Sequence, residues 1–495
     1  MAGPEVSTIT VDGHTFRDLN KNGKLDKYED NRLSTDERVI NLLSQMTFQF
    51  ADIARQEYLA SGIRLALHPM ADLATEPRWG RINGTFGEDA QISAIHTYAY
   101  VKGFQGDSLG PQSVACMTKH YSGGGPQKEG IDPHFPNAKG QVYPGDNFDY
   151  HLIPFDAAFS ANTAEIMPYY GIPTGQTSEN VGFGFNKDII TGLLRNKYHF
   201  NGVICTDWGL ITDIKFFGLM ILPARAKGME NATCEERMLK IIDAGCDQFG
   251  GEMIPEMLTD LVKTGKVSEA RLDTSVIRLL RVKFELGLFD NPFVDVSHSV
   301  KTIGNPDFIE AGRLAQRKSI VLLKNDPTGS GKILPLKEGT KIFIRNIDPA
   351  IASRYGKVVE SPDMADIAII RIKAPTQFLE GSGPLGRLFS SGDLDFKDKD
   401  LAEILELLNE IPTIVDIYLD RPAVIPEIAS SSRGLLANFG ATDGALLDVV
   451  FGKINPSAKL PFEMASSMEA VRNQKEDLPY DSGDPLFPFG SGLSY

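Results

Sequence analysis

The residues best placed to do chemistry lie where an apolar run stops. Val203-Ile204-Cys205 is long enough for a strand and ends abruptly in Thr206-Asp207-Trp208-Gly209. Parallel α/β enzymes gather their reactive groups at the C-terminal ends of strands, and this pattern delivers Asp207 there with an indole beside it. A carboxylate can attack or stabilise an anomeric carbon, and an aromatic face stacks on a sugar ring. The plainer alternative is a strand-end Asp that caps the following helix. Other apolar runs end the same way. Val114 to Met117 leads into Thr118-Lys119-His120, Glu165-Ile166-Met167 into Pro168-Tyr169-Tyr170, and Cys246 to Phe249 into Gly250-Gly251-Glu252. Ile63 to Leu67 leads into His68-Pro69-Met70-Ala71-Asp72, where Asp72 reads as a cap on its strand end.

These runs alternate with helical patterns such as Phe50 to Leu59 and Met253 to Val262, as repeated βα units do. Residues 48–290 therefore read as a (β/α) barrel or a doubly wound sheet. The pattern breaks near Asn291-Pro292-Phe293, so 291–305 reads as a linker. A helix from Phe308 to Arg317 then feeds Ser319 to Leu323. Further strands are expected at Lys341 to Ile344, Ile367 to Ile372 and Ile414 to Tyr418, with a helix at Leu401 to Leu408. Residues 306–495 form a second α/β domain, and 1–47 a polar N-terminal arm ending in a short helical pattern, Thr35 to Met46.

Composition sets the outer limits. A chain of 495 residues exceeds what one core fills, and 42% apolar with 23% charged residues is ordinary for a globular protein. A net charge of −15 argues against nucleic acid or an anionic membrane as partner. No apolar run reaches the roughly 20 residues that span a bilayer. Cys116, Cys205, Cys234 and Cys246 are too scattered for a disulfide framework, and no CxxC pair suggests zinc. Met1 to Val6 has no basic region followed by an apolar stretch, which fits a cytoplasmic protein or a mature secreted or periplasmic form. A homo-oligomer is compatible with all of this.

Several separated motifs together resemble one family. Glu76-Pro77-Arg78-Trp79-Gly80-Arg81, Gly84-Thr85-Phe86-Gly87-Glu88-Asp89, Lys119-His120-Tyr121 and Val203 to Trp208 occur in the order found in family 3 glycoside hydrolases. In the second domain Asn438-Phe439-Gly440, Asn455-Pro456, Lys459-Leu460-Pro461 and the closing Phe487 to Tyr495 continue the match. The resemblance covers most of residues 50–495. It implies a (β/α)8-like barrel followed by an α/β sandwich domain, and a retaining mechanism that needs no cofactor. Asp207 matches the nucleophile and Trp208 a wall of the sugar subsite. Arg81, Lys119 and His120 match the residues that grip sugar hydroxyls, and Tyr169 a pocket tyrosine that supports the nucleophile. Glu380, in Phe378-Leu379-Glu380, aligns best with the acid/base. One branch of the family takes its acid/base from a His after the Lys-His pair. His134, in Ile131-Asp132-Pro133-His134, stands in a comparable place and reads as a pocket or loop-packing residue. Glu252 is a further candidate for sugar contacts.

The chain departs from the family in one place. Where the first barrel strands are expected, Met46-Thr47 runs directly into Phe48-Gln49-Phe50, leaving no room for two strands and a helix. Either the barrel lacks its first strands or another segment substitutes for them; an open barrel would bind sugar more weakly, be less stable and expose sheet edges. A separate pattern, Asp18 to Glu29, fits the D-x-[DN]-x-[DN]-G-x5-E calcium loop, with Asp18, Asn20, Asn22, the Lys24 carbonyl, Asp26 and Glu29 at ligand positions. No amphipathic helix precedes it, so a structural Ca²⁺ and a metal-free polar turn both fit. The expectation is an exo-acting retaining β-glycosidase, foremost a β-glucosidase, acting on an oligosaccharide or aryl β-glycoside. The alternatives are a β-xylosidase, a β-N-acetylglucosaminidase, a carbohydrate-binding protein that has lost turnover, and a scaffold that assembles through the calcium-loop arm.

Overall fold

The computed structural model describes residues 7–18, 23–216, 219–328, 331–383, 386 and 389–495. Five strands, Leu65–Ala66, Ala115–Tyr121, Glu165–Pro168, Val203–Trp208 and Gln248–Gly250, pair in that spatial order. Every pairing is parallel, and each strand begins in one of the five apolar runs. They are continuously apolar because both faces are covered. Ile166 and Ile204 pack on one face with Leu194 and Ile241, while Met117, Met167 and Cys205 cluster on the other. The flanking helices have explicit start signals. Asp89 accepts from Ile92 N at 2.6 Å to begin Ala90–Gln105. Thr233 and Glu236 form a capping box for Cys234–Ala244, which Gly245 ends at φ 111°.

The sheet is half a barrel, the first of the two expectations for it: among the described residues Leu65–Ala66 and Gln248–Gly250 are its outer strands. Thr35–Ser61 is one helix of 27 residues with no Pro or Gly to interrupt it. The sequence-derived boundary at 47/48 falls inside this helix and is corrected accordingly. Phe48 and Phe50 sit on it half-exposed. The linker reading is also corrected. Residues 291–305 contain the helix Val296–Thr302, capped by Asp295, and Ser299 Oγ donates to Ala60 O at 2.5 Å.

The second domain is a six-stranded sheet in the order Val321–Asn325, Gly434–Asn438, Thr413–Tyr418, Ile367–Lys373, Lys341–Arg345, Lys357–Val358. Only Val321–Asn325 pairs antiparallel. Side chains alternate across it. Ile367, Ile369, Ile414 and Leu436 pack on Leu446, Leu447 and Val450 of the helix Asp443–Val450. Ala368, Ile370, Val415 and Leu435 join the cluster that also holds the outer face of the barrel. The Gly87-Glu88-Asp89 motif pins the two domains. Glu88 N donates to Pro461 O at 3.0 Å, and the Glu88 carboxyl accepts from Glu463 N at 2.7 Å and Tyr480 N at 3.1 Å. All four cysteines are free thiols. No helix among the described residues is long and apolar enough to cross a membrane.

Candidate active site

The C-terminal ends of the barrel strands converge beneath a loop of the second domain. Asp207 ends its strand almost buried, at 8% exposure. Its Oδ1 accepts from the Trp208 N–H at 2.8 Å. Its Oδ2 is buried without a hydrogen-bond partner, and the nearest basic group is His120 Nε2 at 4.0 Å. A buried polar atom without a partner costs roughly 1–3 kcal/mol, and more when it is charged. Trp208 beside it is 39% exposed.

His120 is oriented from behind. Asp72 Oδ2 accepts from His120 Nδ1 at 2.8 Å and from its backbone N–H at 3.1 Å, and Asp72 Oδ1 accepts from Gly124 N. Only glycine fits there, since a Cβ at 124 would lie 2.6 Å from Asp72 Oδ1. Asp72 is thus no strand-end cap. Burial, and then the Arg81 charge, push the His120 imidazole down to about 4. The ring is neutral at neutral pH, and Arg81 Nη1 donating to Nε2 at 3.2 Å places the single ring proton on Nδ1. Lys119 projects from the same strand, its ammonium pushed down by burial and by Arg81.

A third buried carboxylate, Asp132, gathers Trp79, Tyr169 and His134. It accepts from Trp79 Nε1 and the Tyr169 hydroxyl at 2.8 Å each, and from His134 N at 2.9 Å and His134 Nδ1 at 2.6 Å. Burial opposes its charge, but His134 and Arg81 outweigh that and hold the carboxyl well below the usual range. Arg81 Nη1 donates to the Tyr169 hydroxyl at 3.2 Å, so Asp132 positions Arg81 through Tyr169. The role expected for Tyr169 therefore passes to its neighbour. Tyr169 supports Arg81, whereas the Tyr170 hydroxyl donates to Trp208 O at 2.8 Å beside Asp207. Burial, and then the Asp207 charge, push the Tyr170 phenol up.

The structure brings Arg81, Lys119, His120, Tyr169, Trp208 and His134 around Asp207. His134 packs edge-on to Tyr170, with ring centroids 4.6 Å apart, and against Phe389 of the second domain at 5.3 Å. Glu380 stands exposed on the same second-domain loop, its carbonyl accepting from Asn137 Nδ2 at 3.2 Å. Glu252 does not serve the sugar site. Its carboxylate accepts from Ile211 N at 2.7 Å, Thr212 N at 3.2 Å and Thr212 Oγ1 at 2.6 Å, which anchors the chain just after Trp208. Asp72, Asp132 and Tyr170 are the residues that sequence reasoning missed. Their only signal was position, next to a strand end or two residues before His134. A cleft of about 630 Å³ between the domains is lined by Arg81, Lys373, Gln377, Phe378, Phe389 and Tyr418.

Away from this site, Asp18 and Glu29 are nearly buried. Gly23 N donates to Asp18 Oδ2 and Asp26 N to Glu29 Oε2, each at 3.1 Å. Gly23 has φ 72°, the turn such a loop requires. Burial and the charges of Glu29, Asp26 and Asp18 push the Tyr28 phenol up. Asn20 and Asn22 lie outside the described residues. Ahead of the loop the chain forms a hairpin, Thr8–Val11 with His14–Arg17, where a calcium hand has a helix.

Comparison with known proteins places this geometry. Residues 34–282 match the glycosyl hydrolase family 3 N terminal domain, and residues 352–495 the family's C-terminal domain. Beta-glucosidase C of Emericella nidulans is 50% identical over 456 residues, spanning 91% of this chain and 73% of that protein. The periplasmic beta-glucosidase/beta-xylosidase of Dickeya chrysanthemi is 40% identical over 469 residues, 91% of this chain and 71% of that protein. Among solved structures, the beta-glucosidase from Listeria innocua in complex with isofagomine superposes with a TM-score of 0.74 at 22% identity, covering 91% of this chain and 69% of that one.

Proposed function

The chain belongs to glycosyl hydrolase family 3, and on that premise we propose that it is a retaining exo-acting β-glucosidase with Asp207 as nucleophile and Glu380 as acid/base. The single observation that carries the reading is the state of Asp207. It is a buried carboxylate at the end of a barrel strand with one bare oxygen, 4.0 Å from His120 Nε2, which in turn accepts from Arg81.

In the first step Asp207 Oδ2 attacks the anomeric carbon while Glu380 gives its proton to the departing oxygen. The C–O bond to the leaving group breaks, and an ester to Asp207 forms. In the second step Glu380 takes a proton from water, whose oxygen attacks the anomeric carbon opposite Asp207, on the face the leaving group vacated, and breaks the ester. Configuration is retained. Arg81 and Lys119 bring positive charge to the sugar hydroxyls, and the neutral His120 is held rigid by Asp72, so hydrogen bonds to the distorting ring strengthen without reorganisation. The substrate class is an oligosaccharide or aryl glycoside with a terminal β-D-glucosyl unit. The test is hydrolysis of an aryl β-D-glucoside by the wild type and by Asp207→Asn, with product stereochemistry followed by NMR. Turnover with retention, lost in the variant, is expected. A folded wild type inactive on glucoside and xyloside alike would favour a binding protein and overturn the reading.

The N-terminal loop is proposed as a Ca²⁺ site of structural character, formed by Asp18, Asn20, Asn22, the Lys24 carbonyl, Asp26 and Glu29. The Gly23 turn and the packing of Asp18 and Glu29 support it. Calorimetry with CaCl₂ is expected to register binding that Glu29→Gln weakens. No heat at millimolar Ca²⁺ would dismiss it.

A further inference from the structure

Arg421 follows the Thr413–Tyr418 strand and is completely buried. Its four terminal N–H groups all go to backbone carbonyls. Nη1 donates to Arg78 O at 2.9 Å and Gly392 O at 3.0 Å, and Nη2 to Pro375 O at 2.6 Å and Ser391 O at 3.1 Å. These acceptors are not scattered. Pro375 lies at the start of the loop that carries Glu380, and Ser391 and Gly392 at its end. Arg78 belongs to the barrel segment that carries Arg81.

The neck of the loop closes directly over this guanidinium. Gln377 N donates to Ser391 O at 2.8 Å, Ser391 Oγ to Gln377 O at 2.6 Å, and Ser391 N to Thr376 Oγ1 at 3.2 Å. On the barrel side there is no slack. A Cβ built on Gly80 would lie 2.2 Å from Ser390 O. Beyond the neck, Phe389 packs on His134 and lies under Arg81, whose guanidinium carbon is 5.6 Å from its ring centre. Arg421 Nε has no hydrogen-bond partner, and the neighbouring Asp420 makes no hydrogen bond to it: Asp420 Oδ2 takes Ser390 Oγ at 2.5 Å and Lys373 Nζ at 3.0 Å, and its Oδ1 is left without a partner. A buried cation that pairs with carbonyls instead of a carboxylate is a poor stabilising device. It is a good geometric one, because the planar fork fixes several carbonyls at once, as a lysine ammonium cannot.

We infer that Arg421 is a positioning residue for the proposed reaction, a clamp that closes both ends of the Glu380 loop and seats it on the barrel segment bearing Arg81. This rests on the reading of Glu380 as acid/base. A misplaced acid is felt only where the leaving group needs a proton, which separates the clamp from a general structural role. The experiment measures kcat/KM for wild type, Arg421→Lys and Glu380→Gln on aryl β-glucosides of decreasing leaving-group acidity. Arg421→Lys is expected to lose about 10²-fold on a phenyl glucoside and at most about threefold on a dinitrophenyl glucoside, partway toward the pattern of Glu380→Gln. Equal losses across the series for Arg421→Lys, with selective losses for Glu380→Gln, would overturn the clamp alone. Equal losses for Glu380→Gln would overturn the acid/base reading itself. Ser391→Ala opens the same neck without disturbing a buried charge. It is expected to repeat the selectivity at smaller amplitude, so the test survives if Arg421→Lys fails to fold, and a uniform loss there overturns the clamp.

Discussion

Asp132 and Asp207 are both nearly buried and differ in what satisfies them. Asp132 accepts four hydrogen bonds, from an indole, a phenol, an imidazole and a backbone N–H. Asp207 accepts one, from the backbone of Trp208, and keeps Oδ2 bare. A saturated carboxylate is a frame: its lone pairs are spent on holding Trp79, Tyr169 and His134, and through Tyr169 it aims Arg81. Asp207 Oδ2 keeps its lone pairs free, as the proposed role of reagent requires. Burial alone does not distinguish them; the count of donors does.

The largest effect should come from Asp207→Asn. Activity is expected to fall by at least about 10⁴-fold, while stability to urea stays within about 1 kcal/mol of wild type or rises, since the variant removes a buried charge with a bare oxygen. Asp132→Asn should reverse the order of consequences. Loss of the charge facing His134 and Arg81 is expected to lower stability by about 2–4 kcal/mol and kcat/KM by about 10²-fold, measured by urea unfolding and aryl-glucoside kinetics. If Asp132→Asn were as stable as wild type, the distinction between frame and reagent would collapse. Glu252→Gln carries the frame argument to a third carboxylate. It is expected to cost about 1 kcal/mol in the same unfolding assay and to leave KM for the glucoside within about twofold, where a sugar ligand would raise it more.

The smallest effect is spread over the whole molecule. His68, His96, His120 and His151 are each pushed by burial down to about 4 from 6.5. As pH falls below 6.5 the unfolded chain takes up these protons first, so the native state loses stability through about pH 4. Glu88 and Glu165, pushed up by burial to about 8 and about 7 from 4.5, act in the opposite sense. They keep protons in the native state that the unfolded chain releases above 4.5, so stability falls as pH rises toward 8. Glu76, Asp156, Asp416 and Glu463 are raised by burial as well and add to this opposition. The imidazoles are therefore read one by one: NMR titration is expected to keep His120 neutral down to about pH 4, and protonation near 6.5 would contradict its burial.

The barrel strands were legible because each is a short apolar run that ends in reactive residues, a pattern imposed by two covered faces and one chemical edge. Lys119, His120, Asp207 and Trp208 were legible for the same reason. The frame was not. Asp72 reaches His120 across 48 residues, and Asp132 reaches Trp79 across 53, and no local pattern announces a contact made by folding. Glu252 was misread because a strand-end acid turned into the cleft and one turned back onto Ile211 and Thr212 are identical in sequence. Tyr169 and Tyr170 are adjacent, and only the structure decides which faces Asp207. The boundary at 47/48 was misplaced although the absence of any Pro or Gly across Thr35–Ser61 already argued for one helix.

The central claim is that Asp207 Oδ2 is left bare in order to bond carbon. Its most direct test is to trap that bond. Incubation with an activated 2-fluoro-β-D-glucoside slows both steps, and slows release of the sugar more when the leaving group is good. Mass mapping of the peptides is then expected to find one added fluoroglucosyl unit, on the peptide containing Asp207 and absent from Asp207→Asn. A turning-over enzyme that carries the adduct on Asp132 or another residue, or carries none, would contradict the account.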